Sequence, residues 1–120
     1  MLSALFSAAA VVALQDATYP PTYENAVECT GIIGRIASTT GDEQARAELS
    51  GQTNSLASSA SRLGDTRGIS DAQLEADIQA AYQQAEVLIP TTSQAEWSAA
   101  MADILPVAQQ CLNLEARLVG

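Results

Sequence analysis

Histidine and lysine are both missing from the 120 residues. Without imidazole, the usual proton carrier and metal ligand at neutral pH, the common nucleophile–base pairs and catalytic zinc sites are excluded. Haem held by histidine and di-iron Glu-x-x-His sites fall on the same ground. The basic residues number five, all of them arginine, against fourteen carboxylates, which leaves a formal charge of −9. Phosphate neutralisation needs grouped Lys and Arg, so no nucleic-acid partner is expected. Aromatic residues are few, with one Phe, one Trp and three Tyr. A chain rich in alanine and poor in the residues that fill sheets reads as all-α.

One apolar run stands out. Residues 2 to 14, LSALFSAAAVVAL, carry no charge and are too short to span a bilayer, but they have the length of a signal-peptide core. Val11-Val12-Ala13 offers small residues at the two positions a signal peptidase reads. Residues 1–17 are therefore read as a leader and cleavage region, cut after Ala13 or within a few residues, and residues 18–120 as a single helical domain. No Lys or Arg precedes the run, which departs from the usual leader; a retained segment would instead be a first core helix or a membrane anchor.

Export gives meaning to the two cysteines, because an even pair in an exported protein is usually a disulfide. Cys29 and Cys111 are too far apart for a CxxC redox pair. Capping signals and helical spacing place helices at about 23–38, 42–63, 71–89 and 94–118. Thr22 is positioned to cap the first, Thr40 with Glu43 forms a capping-box spacing before the second, Ser70 with Gln73 starts the third, and Ser93 with Glu96 the fourth. Gly64 is placed to end the second helix, and Pro106 to kink or restart the fourth. Asp42 and Arg46 have the spacing of a helical ion pair.

Leu74, Ile78, Ala81, Tyr82, Ala85, Leu88 and Ile89 predict the core face of the third helix, and Trp97, Ala100, Met101, Ile104, Leu105, Ala108, Cys111, Leu112 and Leu118 that of the fourth. Short connections make the helices alternate in direction, giving an up-down four-helix bundle. Cys29 lies six residues after Tyr23 and Cys111 seven before Leu118, so in an antiparallel pair both sit roughly 10 Å from the same end. A Cys29–Cys111 bond joining the first and last bundle helices is the expected staple.

Candidate site residues are sparse, and no catalytic residue, metal site or cofactor is predicted. Gly31 and Gly34 make a notch on the first helix that suits a close helix contact or a pocket, and Trp97 with Met101, one turn apart, adds a core or ligand surface. Asp71, Glu75 and Asp77 form an acidic cluster that offers weak cation ligands, although the helix dipole alone accounts for acids there. The expectation for function is a non-enzymatic binding or interaction module of the cell envelope, periplasmic or secreted, with a protein or peptide partner and no stable membrane span. The alternatives are a carrier with an apolar pocket between helices and a carboxylate-based enzyme.

Overall fold

The computed structural model describes residues 19–119, and the leader reading of residues 1–17 lies outside them. Four helices account for nearly all of the described chain: α1 (Tyr23–Thr39), α2 (Glu43–Asp65), α3 (Asp71–Leu88) and α4 (Gln94–Val119). The described residues contain no strand. No described helix is long and apolar enough to cross a membrane.

Local chemistry sets the boundaries. The Thr22 hydroxyl accepts from the Asn25 amide at the start of α1, Ser70 does the same for Gln73 at the start of α3, and Ser93 accepts from the Glu96 amide in α4. The second helix differs from the capping-box prediction: Asp42 caps it, its carboxylate 2.8 Å from the Ala45 amide. Thr40 belongs to the preceding helix, closing α1 through its hydroxyl on the Ile36 carbonyl. Committed to the cap, Asp42 forms no ion pair with Arg46. Nor does Gly64 end α2, which runs on to Asp65; the left-handed backbone falls instead at Gly68, with φ 73°. Gly64 is small for a packing reason, since a β-carbon there would meet the Tyr23 ring at 3.1 Å. α4 passes through Pro106 without a break.

Alternation of direction follows from contacts at the two ends. At one end the Tyr23 hydroxyl donates to Asp77 of α3, Tyr23 covers Gly64 of α2, and Arg117 of α4 donates to the Tyr19 carbonyl. At the other, the Arg35 guanidinium donates twice to the Ile89 carbonyl and the Trp97 indole donates to the Thr39 hydroxyl at 2.9 Å. The chain is an up-down four-helix bundle. Cys29 and Cys111 are bonded, with Cα atoms 5.2 Å apart, which ties α1 to α4.

The bundle is not a symmetric square. Residues 26–33 of α1 are buried all round. The reason lies in two adjacent positions. Successive helical residues turn by about 100°, so Cys29 and Gly31 point to opposite sides of α1. The disulfide holds α4 on one side, and on the other α3 approaches so closely that a β-carbon at Gly31 would lie 2.5 Å from the Ala81 carbonyl carbon. α1 therefore stands between α3 and α4, which barely touch along their lengths.

This placement corrects the predicted core. The expected α3 face is the inward one, but only Ala85 and Ile89 are buried; Leu74, Ile78, Ala81 and Tyr82 are half-buried. On α4, Leu105 is 56 % exposed, while Val107 and Leu114 are core. The main cluster gathers Cys29, Ile32, Ile33, Leu56, Ile89 and Ile104 around the disulfide, and a second holds Tyr23, Ala26, Val27 and Ala60.

Three stability outcomes are expected. The bond spans 82 residues, for which chain entropy alone gives roughly 4 to 5 kcal/mol. Reduction should lower Tm by more than about 10 °C, read from circular-dichroism melts with and without reductant. Gly31→Ala should destabilise by about 1 to 3 kcal/mol, because backbone rather than a movable side chain fills the space. Gly51→Ala, where nothing lies within 4 Å, should stabilise by about 0.5 to 1 kcal/mol through helix propensity. Denaturant titrations of the two variants check the contrast in sign.

Candidate functional site

The wedge between the end of α3 and the start of α4 is a concavity that combines apolar walls with charge. Its volume is about 420 Å³, and Val87, Leu88 and Pro90 form one wall and Ala100 and Ile104 the other, with Glu96 and Asp103 at the edges. The turn at Pro90 brings the two helices together, and their attachment to opposite sides of α1 parts them again. Ile104 is buried at the floor, whereas Val87 is 81 % exposed at the rim. An apolar cleft held open by rigid helices is a surface onto which another apolar group can be buried.

Charge is unevenly distributed around this wedge. Every charged side chain from Asp71 to Glu115, which spans α3 and all but the last turn of α4, is acidic. The five arginines lie on α1, on α2 and the turn after it, and at the end of α4. Arg35 is held by the Ile89 carbonyl and by Glu86 at 4.0 Å. The groove thus has an acidic rim facing solvent.

A second concavity, lined by Thr39, Gly41, Thr91, Ser93, Gln94 and Trp97, is of similar size, about 410 Å³, and is polar. Its groups are already engaged with the protein. Trp97 donates to Thr39, Thr39 donates to the Ile36 carbonyl, and Ser93 caps α4. These bonds lock the end of the bundle.

The residues singled out in the sequence are dispersed. Gly31 is covered by the Ala81 backbone, and Gly34 faces Thr53 and Tyr82 beside a shallow depression of about 220 Å³ between α1 and α2. Trp97 and Met101 are half-buried against the main core, and Trp97 borders the polar concavity. Asp71, Glu75 and Asp77 do not converge on a cation site. Asp77 accepts from Tyr23 through one oxygen and from Gln73 through the other. Among the described residues, no group of three or more His, Cys, Asp or Glu side chains is arranged to hold a metal ion.

Val87, Ala100 and Asp103 were not singled out as site residues. Val87 lies one position before the predicted α3 core residue Leu88, and Ala100 falls on the predicted α4 core face. The available signal was an apolar pair, Val87-Leu88, too wide for one helical stripe; only the divergence of α3 from α4 turns it into a wall.

Burial also perturbs one carboxylate and one phenol near the disulfide. Glu28 is 8 % exposed and its Oε1 has no hydrogen-bond partner, so desolvation raises its pKa above the ordinary glutamate range. The Tyr19 phenol, also buried, is pushed up to about 12 by burial and then by the Glu28 charge. At the exposed edge of α1, a hydrogen bond from Arg67 lowers the Glu24 pKa. Comparison with protein-family models, with characterised proteins and with solved structures returns no match.

The Glu28 environment has a pH signature. Its raised value means that the folded form binds the proton more tightly than the unfolded chain. Stability from this group is present below the unfolded pKa and is lost as pH rises through the folded one. Glu28→Gln, which keeps the shape of the neutral acid, should raise Tm at pH 7 and leave it nearly unchanged at pH 4. Thermal melts of both proteins at the two pH values check this.

Proposed function

We propose that this chain is an exported, non-enzymatic interaction module that uses the α3–α4 groove to bind a protein or peptide segment. The observation that carries the reading is the groove itself: two rigid helices present an open apolar cleft that the chain does not fill with described side chains. The Cys29–Cys111 bond fits an oxidising compartment, and the apolar run of residues 2 to 14 supports a route to one.

The carrier alternative gains less from the geometry, because the concavities are open clefts rather than enclosed cavities able to surround a small apolar ligand. A carboxylate enzyme gains less still. Glu96 and Asp103, the two acids on the groove, are seven helical positions apart, about 10 Å along the axis.

Nile red, a neutral dye that fluoresces in apolar surroundings, should bind the native protein. Ala100→Phe, which fills the cleft from α4, should reduce that signal at least fivefold while the circular-dichroism melt is retained. Equal dye binding by the two proteins would remove the groove as the accessible apolar site. Intact mass of the protein recovered from fractionated cells, with thiol labelling before and after reduction, tests export and the bond together.

A further inference from the structure

We infer that the segment received by the α3–α4 groove is a cationic amphipathic helix, with apolar side chains on one face and Lys or Arg beside them. The inference rests on the interaction-module reading and names the partner for that same site. Charge complementarity carries it. The groove offers apolar walls at Val87, Leu88, Ala100 and Ile104, with Glu96 and Asp103 at its edges. Beyond the edges the acidic field continues without a basic side chain from Asp71 to Glu115, on a protein of net charge −9.

An acidic or neutral helix seated there would bring like charge, or no charge, against this rim. A cationic one gains Coulomb attraction that steers its approach and sets its register, while its apolar face is buried in the cleft. The acids are arranged for such use. Among the described residues, Asp103 makes no hydrogen bond or ion pair, and Glu96 accepts only from the neighbouring Thr92 hydroxyl. Arg35 is held on the Ile89 carbonyl and by Glu86, and it forms no ion pair with either rim acid. Two walls that diverge from a common turn leave one open side, which admits a helix laid along the cleft.

The probe is a synthetic Leu/Lys amphipathic helix of about 18 residues, five turns, carrying a fluorophore and titrated against the full chain by anisotropy. Binding should be at least tenfold weaker when its leucines are replaced by serine, and at least tenfold weaker to Ala100→Phe. Raising salt from 50 to 500 mM should weaken it severalfold, since rim charges are screened. Glu96→Gln with Asp103→Asn leaves the apolar walls in place; it should weaken binding at low salt and flatten the salt dependence.

Distinct results overturn distinct steps. A Leu/Glu helix that binds as well as the Leu/Lys helix overturns the cationic partner and leaves the groove as an apolar docking face. Leu/Lys binding that is unchanged in Ala100→Phe overturns the groove itself, as does a rim double variant with wild-type affinity and salt dependence combined with a serine peptide that binds equally well. Sedimentation showing a dimer that Ala100→Phe dissociates assigns the cleft to a second copy and overturns the inference. Carbodiimide cross-links from the amino terminus to Glu96 or Asp103 assign it to the chain's own first residues, with the same consequence.

Discussion

The structure depends on α1 being held from two opposite sides. On one side the Cys29–Cys111 bond fixes α4 against it, and on the other Gly31 lets the α3 backbone approach at Ala81 to within van der Waals contact. Two residues of helix separate the points, which makes them face apart. From this follow the burial of α1 on every side between residues 26 and 33, the half-exposed face of α3, and the divergence of α3 from α4. A β-carbon at Gly31 would push against main chain, which has no alternative rotamer to adopt. The disulfide, in turn, reinforces a small core of a few isoleucines, leucines and a valine.

The same arrangement has a functional side. In a closed bundle the apolar faces of the third and fourth helices would meet and bury one another. Here they meet only near the turn at Pro90, and the rest opens as a cleft between Val87 and Ala100. Acids cluster on those two helices while the arginines lie elsewhere or are held by carbonyls and carboxylates. An open cleft and a one-signed rim together support the interaction reading more strongly than either alone. The acids of early α3, which looked like ligands in the sequence, have a structural use instead: Asp77 receives the Tyr23 hydroxyl and joins α3 to the start of α1.

Much of the fold was legible because helix starts are local events. Thr22, Ser70 and Ser93 cap where the sequence places them, since a hydroxyl acts on an amide three residues ahead whatever the tertiary context. Errors arose where two local signals competed. Thr40 and Asp42 both suit the start of α2, and the carboxylate nearer the helix holds it. Gly64 looked like a terminator but is small to admit Tyr23. The candidate site was scarcely legible: Trp97 was conspicuous by rarity, yet its indole fastens one end of the bundle. The groove residues are ordinary valine, alanine and aspartate, which acquire meaning only from what fails to pack on them.

By itself the sequence determined the helical class, the alternation of direction, the depth match that pairs Cys29 with Cys111, and the absence of histidine chemistry. Each follows from short-range periodicity, chain connectivity or composition. Only the tertiary structure decided that α1 is central, that Leu105 faces outward while Val107 and Leu114 are buried, and that α3 and α4 part to leave a cleft. These depend on how closely two backbones approach at one glycine and on which side of a helix a disulfide emerges. Such relations between distant elements are set by packing, and no periodicity within either helix encodes them.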